Sequence, residues 1–402
     1  MTRQLDLRTG RPVWQSYRAP RIATRALDRA ISTDILVVGM GISGAMVAQA
    51  LAADGREVVV IDRRGPMLGS TAATTALVQY EIDVPLSQLV PKVGRDKAVR
   101  AWRRSRLAIA NLKERIEELG IACGLDERDS LYLAGNELDA DALRREGVER
   151  TAAGIGTNYL DGAALKQRFG IARDAALLGH GNLVLDPRKL TAGLLNIAAA
   201  EGARLLCPVE AVTIDSGKDA IVVGTDAGHA ITARHVVLAT GYELGPLTPP
   251  GRHRIVSTYA IATRPQKRAL WPERPLIWEA SDPYLYLRAT ADGRVICGGE
   301  DEDFSDEERR DALLPAKAKA IAKKLAALLP GIDPEPAFAW CGSFGTTTTG
   351  LPFIGRIPRQ PRIHGVMGYG GNGITFSQIA SELIRTELRG AEDADAGLFG
   401  FD

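Results

Sequence analysis

The sequence predicts an α/β domain interleaved with an α+β domain, and three segments lead to this fold class. The first segment, residues 34–62, contains a buried strand, a glycine turn, a helix and a second strand. The second, residues 233–241, is an apolar strand that ends in Ala-Thr-Gly and returns the chain to the first sheet. The third, residues 257–299, contains several strands in succession.

The glycine turn of the first segment has the spacing of a dinucleotide-binding motif in a Rossmann-like fold. Gly39 permits a sharp turn, Gly41 lets the backbone approach a pyrophosphate, and Gly44 lets the helix pack on the strand. Phosphate charge is stabilised by the unpaired N–H groups at the helix N-terminus. Asp62 ends the second strand, where a carboxylate accepts hydrogen bonds from a ribose 2′-OH and repels a 2′-phosphate. We therefore predict a dinucleotide site that disfavours NADP.

Residues 35–53 carry no charge and approach the length of a membrane span. Small residues interrupt this run, and Gln49 is polar. A fully buried parallel strand also consists of an unbroken apolar run. We therefore predict no membrane span.

The loop of residues 69–76 and the stretch of residues 96–119 follow the second strand. The loop consists of small and hydroxylic residues, which can bring N–H groups and hydroxyls close to a phosphate or a flat ring. A plain surface loop is the alternative. In residues 96–119, apolar residues recur every three or four positions among Arg and Glu, which predicts a helix.

Further elements are predicted along the rest of the chain. Pro187 suits the first turn of a helix over residues 190–201. The motif Ser305-Asp-Glu-Glu308 is a capping box that begins another helical region. Within this region, the lysines of residues 312–329 lie opposite an Ala/Leu face, which favours packing on a sheet over binding to a membrane surface. The predicted β segments are residues 203–215, 220–225, 276–279, 283–288 and 294–298.

The overall composition is that of a globular protein. The 402 residues are 45% hydrophobic and 25% charged, and the net charge of +1 provides no field that would attract nucleic acid or anionic lipid. The N-terminus lacks an apolar signal segment, and the four cysteines are widely spaced, so we expect a cytoplasmic protein with reduced thiols. The five dispersed histidines predict no metal site.

Four landmarks together resemble the D-amino-acid oxidase superfamily of FAD-dependent oxidoreductases, which includes glycine oxidase, sarcosine oxidase and gamma-glutamylputrescine oxidoreductase. They are the N-terminal glycine turn, the strand that ends at Gly241, the segment Gly350-Leu-Pro-Phe-Ile-Gly355, and the loop Gly368-Tyr-Gly-Gly-Asn-Gly-Ile-Thr375 before a C-terminal helix. The resemblance extends from about Trp14 to Leu388. It implies a Rossmann-like FAD-binding domain interleaved with an antiparallel-sheet substrate domain.

The resemblance also implies a division of the chain and a set of cofactor contacts. The FAD-binding domain would comprise residues 33–90, 171–247 and 341–390, and the substrate domain residues 91–170 and 248–340. Residues 1–32 would form a polar, irregular lead segment pinned by Trp14 and Tyr17, and residues 391–402 a tail. The expected FAD contacts are Gly39, Gly41, Ile42, Ser43, Gly44, Asp62, Arg63, Ser70, Thr71, Thr74, Thr75, Ala76, Ala211, Thr240, Gly241, Gly371, Asn372, Gly373, Ile374 and Thr375.

The chain departs from the family pattern at several positions. Thr349 stands where the family often has Asp, and Asn372 where it often has His. The cysteine that tethers the flavin in some relatives falls near Gly342, one residue from Cys341, so we expect non-covalent FAD. The lysine with which some relatives promote reaction with oxygen falls near Ile296. The electron acceptor could therefore be either oxygen or another compound.

The function implied is oxidation of a C–N bond in a small amine or amino acid, by hydride transfer to flavin N5 and hydrolysis of the resulting imine. Tyr284, Tyr286 and Arg288 alternate onto one face of a strand and are candidates for the substrate wall, with Tyr80 and Glu81 behind them. An ordinary sheet surface or core is the alternative for these residues.

Two further functions remain open: FAD-dependent oxidation of a 2-hydroxy acid, by a dehydrogenase or an oxidase, and a non-catalytic subunit that holds FAD for a partner. Thr375 replaces a lysine that pairs with the substrate carboxylate in sarcosine-oxidase-like relatives, which favours an amine substrate. Arg288 can supply the missing charge, which would restore an amino acid as substrate. The sequence identifies neither the substrate nor the oligomeric state.

Overall fold

The computed structural model describes residues 6–243 and 253–401, so the predicted domain boundary at residues 247–248 lies outside the described residues. The strands are β1 (Arg8–Gly10), β2 (Ile31–Val38), β3 (Val58–Ile61), β4 (Leu77–Val78), β5 (Asp126–Leu133), β6 (Thr157–Asp161), β7 (Ala175–Val184), β8 (Arg204–Leu206), β9 (Ala211–Ser216), β10 (Ile221–Thr225), β11 (Ala230–Leu238), β12 (His253–Thr263), β13 (Leu276–Glu279), β14 (Leu285–Ala289), β15 (Val295–Glu302), β16 (Pro336–Thr347), β17 (Phe353–Ile357) and β18 (Gln360–Met367). The helices are α1 (Ile42–Ala52), α2 (Leu86–Val93), α3 (Arg95–Glu118), α4 (Ala140–Ala152), α5 (Gly162–Phe169), α6 (Pro187–Ala200), α7 (Glu307–Leu328) and α8 (Gly373–Leu388).

The first sheet has a parallel centre. Its strand order is β17-β18-β11-β2-β3-β8, with β10 and β9 added beside β11. Pairs β2–β3, β2–β11, β3–β8 and β11–β18 are parallel. Val37 and Val60 pack into the core on one face of this sheet, and Leu36 and Val59 pack on the other. Burial on both faces explains the unbroken apolar run of β2.

No helix within residues 6–243 and 253–401 is long and apolar enough to cross a membrane.

The second sheet is mostly antiparallel and follows the order β1-β16-β12-β15-β14-β13-β5-β7-β4, with β6 beside β7. One face packs against α5 and α7 through Phe169 and Ile321. The opposite face shares the core of the first sheet through Ala260 and Ile296. Together the two sheets confirm the predicted fold class. Strands β4 and β7 pair in this second sheet, although their residues fall in ranges that the sequence assigned to the FAD-binding domain.

Local predictions are confirmed at some helices and wrong at one helix start. Helix α3 coincides with the predicted helix to within one residue at each end. Helix α6 has Pro187 in its first turn, and Asp186 caps it by accepting from the N–H groups of Arg188 and Lys189. The predicted capping box at Ser305 is wrong by one residue, because the Asp306 side chain caps α7 instead.

The lead segment is more ordered than its polar sequence predicts. Arg8 to Gly10 form β1, which pairs with β16 at the edge of the second sheet. Trp14 Nε1 donates to the Thr74 carbonyl at 2.6 Å, and Tyr17 Oη donates to Asp292 at 2.9 Å. Both aromatic side chains therefore hold the segment onto the body, as expected.

Candidate functional site

The glycine turn after β2 brings the N-terminus of α1 to the carboxyl ends of two parallel strands. Gly39 has a φ of 119°, and a Cβ added there would lie 2.3 Å from the Ala239 carbonyl oxygen. A Cβ on Gly44 would lie 1.9 Å from the Gly39 carbonyl oxygen. Only glycine fits at either position, because the obstructing atoms belong to the backbone.

Asp62 connects the turns that follow β2 and β3. Its Oδ2 accepts from the Met40 N–H at 2.8 Å, and its Oδ1 accepts from the N–H groups of Arg64 at 2.8 Å and Gly65 at 2.9 Å. The sequence predicted only a ribose contact for this carboxylate. The structure adds a second task, which is to hold the two loops together.

A second glycine loop precedes α8, which begins beside α1. Ser377 and Ser43 share a hydrogen bond of 2.8 Å between their hydroxyl groups, which joins the first turns of the two helices. Asn372 donates to the Glu81 carbonyl at 2.8 Å, and Thr375 donates to the Gln79 carbonyl at 2.7 Å. These two side chains therefore tie the loop to residues 79–81.

A cavity of about 310 Å³ lies between the N-terminal ends of α1 and α8. It is lined by most of the residues that the resemblance assigned to FAD: Gly39, Gly41, Ile42, Ser43, Asp62, Arg63, Ser70, Thr71, Thr74, Ala211, Thr240, Gly241, Gly371, Gly373 and Ile374. The remaining five do not line it: Gly44, Thr75, Ala76, Asn372 and Thr375. Gly44 is covered by its own turn, and Asn372 and Thr375 are turned toward residues 79–81.

Residues that the sequence did not single out complete this cavity. Arg64 donates from Nη1 to Glu243 at 2.6 Å, and Arg63 also pairs with Glu243. The hydrogen bond to Glu243 is the main cause that raises the Arg64 pKa. Tyr242 and Tyr369 line the other part of the cavity, with their ring centroids 6.2 Å apart. Tyr242 directly follows the predicted Gly241, which is the signal that could have identified it.

The cavity fits a dinucleotide. Two helix N-termini point their positive ends at it, and Gly41 has no side chain to obstruct an approaching phosphate. The Ile42 N–H donates a hydrogen bond to Thr71 Oγ1 at 3.0 Å, and this bond keeps the first turn of α1 in place. No cluster of three or more metal-binding side chains occurs in the described ranges.

The predicted substrate-wall residues separate into two groups. Leu285 and Leu287 enter the core beneath the second sheet, so Tyr286 and Arg288 lie on its opposite face, as the alternation predicted. Tyr284, just before β14, has its ring centroid 5.7 Å from that of Tyr286. None of Tyr284, Tyr286 and Arg288 lines the 310 Å³ cavity.

Arg288 is buried away from this cavity. Its Nη1 donates to the carbonyls of Ala76 at 2.7 Å and Leu185 at 3.1 Å, and its guanidinium lies 5.5 Å from the Trp14 ring centroid. Burial lowers the Arg288 pKa to about 10. These contacts connect the lead segment to the second sheet.

Tyr80 and Glu81 lie in the interior. Tyr80 is 1% exposed and Glu81 2% exposed. Glu81 Oε1 accepts from Asn182 Nδ2 at 3.2 Å and from the Ser130 hydroxyl. These contacts hold Glu81 against polar side chains of β5 and β7.

Two carboxylates that the sequence analysis did not select lie near the tyrosines. Asp83 accepts from the Gly371 N–H at 2.6 Å, in the glycine loop that lines the cavity. Asp301, on β15, accepts a hydrogen bond from the Tyr284 hydroxyl. Desolvation raises the Asp83 pKa to about 6, against the hydrogen bond from the Gly371 N–H, which lowers it, and Asp301 adds a smaller increase. Asp83 lies two residues after Glu81, but its neighbours in space come from other parts of the chain.

Comparison with known proteins agrees with this geometry. The family profile described as FAD dependent oxidoreductase (DAO) matches residues 34–386. The chain is 28% identical over 386 residues to gamma-glutamylputrescine oxidoreductase of Escherichia coli, covering 92% of this chain and 87% of that protein. It is 25% identical to the tRNA 5-methylaminomethyl-2-thiouridine biosynthesis bifunctional protein MnmC of Cupriavidus necator, where 96% of this chain spans only 61% of the relative.

A solved structure shows the same fold. Glycine oxidase from Geobacillus kaustophilus superposes with a TM-score of 0.77 at 22% identity, covering 92% of this chain and 98% of the other.

Proposed function

Because the chain belongs to the DAO family of FAD-dependent oxidoreductases, we propose that it oxidises the C–N bond of a small amine or amino acid. Bound FAD supplies the hydride acceptor for such a reaction. The N-terminus of α1 would hold the diphosphate, and the N-terminus of α8 would place positive potential at the second glycine loop. The protein residues otherwise orient the substrate and exclude water.

The observation that carries this proposal is the meeting of both helix N-termini at one cavity whose lining includes Tyr242 and Tyr369. Tyr242 also lies close to Gly345 of β16, so this wall of the cavity meets the second sheet. A substrate that approaches the cavity from this side meets polar aromatic groups. The amine relatives named above support the choice of a C–N bond.

Anaerobic titration of the yellow holoenzyme tests the proposal. We expect small amines or α-amino acids to bleach the flavin absorbance, and 2-hydroxy acids to leave it unchanged. Bleaching by 2-hydroxy acids alone would contradict C–N oxidation. Failure of every small molecule, together with a tightly co-purifying protein, would support a non-catalytic FAD-holding subunit instead.

We also expect the FAD to be released into the supernatant on acid precipitation. Cys341, the cysteine nearest the tethering position of the family, is 1% exposed and packs beneath the second sheet. Its Sγ lies 3.3 Å from Asp311 Oδ1, and burial raises its pKa to about 11. None of the four cysteines lines the cavity. Flavin absorbance that stays with the precipitated protein would contradict this expectation.

A further inference from the structure

The loop of residues 69–76, here called the cofactor loop, forms one wall of the cofactor cavity. Four of its residues line the cavity: Gly69, Ser70, Thr71 and Thr74. The loop also contacts the first turn of α1, because Thr71 Oγ1 accepts from the Ile42 N–H. The conformation of the cofactor loop therefore sets both a cavity wall and the neighbourhood of a helix N-terminus.

Three side chains from distant parts of the chain hold the cofactor loop by its backbone. They are the indole N–H groups of Trp14 and Trp340 and the guanidinium of Arg288, and none of the three residues lines the cavity. The acceptors are the carbonyl groups of Thr74 at 2.6 Å, Ala73 at 2.7 Å and Ala76 at 2.7 Å, in the same order. The loop is therefore held from outside the cavity.

Ala76, at the end of the cofactor loop, has a left-handed backbone conformation. Its φ is 56°, and its side chain is buried, with 1% of its surface exposed. This conformation is unfavourable for a residue that has a Cβ, so the surrounding contacts must stabilise it. The Ala76 carbonyl accepts from Arg288, and its N–H donates to Thr74 Oγ1 at 3.1 Å. These two bonds orient the peptide groups on both sides of Ala76, and the second bond reaches a residue that lines the cavity.

Arg288 is a charged donor in the interior. It is 4% exposed, and all hydrogen bonds found for its guanidinium in the described part of the chain go to backbone carbonyl groups. Its Nη1 donates to Leu185 at 3.1 Å as well as to Ala76, so it joins the cofactor loop to the residue after β7. Hydrogen bonds from a charged donor are stronger than those between neutral groups. The indole ring of Trp14, 5.5 Å from the guanidinium, adds a cation–π contact.

We propose that Arg288 is a positioning residue for the cofactor: it holds Ala76 in the left-handed conformation and thereby keeps the cofactor loop in the shape that binds FAD. The inference rests on the FAD site of the proposed function and is independent of C–N oxidation. It also replaces the substrate-carboxylate contact that the sequence suggested for this arginine, because its Nη1 already donates to two carbonyl groups of the protein.

The first test replaces Arg288 with methionine, which keeps an unbranched apolar side chain and removes the donors. We expect FAD to bind about 10-fold or more weakly, because charge-assisted hydrogen bonds to the loop are lost. Dilution of the holoprotein, followed by fluorescence of the released flavin, measures the change without turnover. Arg294→Met is the matched control: Arg294 donates to the Thr263 carbonyl at 3.1 Å and lies 5.2 Å from the Phe338 ring centroid. It should leave FAD affinity unchanged.

A second substitution separates positioning of the loop from general loss of packing. Glycine adopts positive φ angles without the penalty of a Cβ, so Ala76→Gly should restore about 3-fold or more of the FAD affinity lost in Arg288→Met. Ala73→Gly is the control in the same background, because Ala73 has an ordinary φ of −98°. It should restore nothing. A loss of affinity caused only by a poorly packed core would respond equally to both glycines.

Arg288→Lys keeps the test decisive if Arg288→Met does not fold. The lysine ammonium lies one atom short of the position of Nη1, so this variant should fold and bind FAD about 3-fold more weakly than wild type. Ala76→Gly should remove that deficit. Wild-type affinity in Arg288→Lys when the methionine variant is unfolded, or a deficit that Ala76→Gly leaves in place, would overturn the inference.

The remaining outcomes distinguish this inference from the proposed function. Full FAD affinity in Arg288→Met would overturn the positioning role. If that variant also lost flavin bleaching by amino acids but kept bleaching by amines, Arg288 would be the contact for the substrate carboxylate instead. FAD affinity that depends on Arg288 and is restored by Ala76→Gly would support the inference even if no amine bleaches the flavin, a result that contradicts C–N oxidation alone.

Discussion

Replacing Gly44 with alanine is expected to yield protein without FAD. The added Cβ would lie 1.9 Å from the Gly39 carbonyl oxygen, and both atoms belong to the turn that positions the N-terminus of α1. Relief of this overlap requires the helix to move away from β2, which displaces the N–H groups that would hold the diphosphate. The flavin-to-protein absorbance ratio of the purified variant measures the effect directly.

Gly156→Ala is the matched control for this substitution. Gly156 is exposed, and an added Cβ there meets no atom within 4 Å. This variant should retain the full complement of FAD. A Gly44→Ala variant that also purifies with full flavin content would show that the turn does not position the cofactor.

Replacing Asp62 with alanine is the second change for which we expect a large effect. The carboxylate is the proposed acceptor of hydrogen bonds from the ribose. It also accepts hydrogen bonds from three backbone N–H groups in the loops after β2 and β3. Loss of a charge-assisted acceptor is worth about 1.5–3 kcal/mol, which corresponds to FAD binding weakened about 10- to 150-fold. Dialysis of the holoprotein followed by fluorescence of the released flavin measures the change.

Two other variants identify the cause of the Asp62 effect. Asp62→Asn keeps one acceptor oxygen and should fall between wild type and Asp62→Ala. Asp139→Ala removes a carboxylate that caps α4, accepting from Ala142 N–H at 2.8 Å, outside the cavity. It should leave FAD affinity unchanged. Unchanged affinity in Asp62→Ala would remove this residue from the cofactor site.

Features that depend on short stretches of chain were predictable. The glycine turn is such a feature, because a Cβ on Gly44 would meet the carbonyl oxygen of Gly39 in the same turn. The apolar run of β2 indicated burial on both faces, and the alternation around Tyr286 indicated its face of the sheet. The cap of α7 was missed by one residue, because Ser305 and Asp306 both have capping side chains and the backbone geometry selects between them.

Features that depend on the packing of distant segments were not predictable. The alternation along β14 placed Arg288 away from the core of the lower face, but Trp14 of the lead segment covers it, and its guanidinium donates to the carbonyls of Ala76 and Leu185. Asp62 also gained one partner, the Met40 N–H, from a turn that lies 22 residues before it in the chain.

By itself, the sequence indicated buried strands and a dinucleotide site, because strand periodicity and glycine spacing are properties of contiguous residues. Its resemblance to the D-amino-acid oxidase superfamily indicated an FAD-dependent oxidoreductase, and the family match confirms this. Only the tertiary structure decided what the acidic side chains of Asp83 and Asp301 contact. Asp83 and Asp301 are separated by most of the chain and look like ordinary surface carboxylates in sequence. The fold brings Asp83, after β4, to the N–H of Gly371 in the second glycine loop, and places Asp301, on β15, against the Tyr284 hydroxyl.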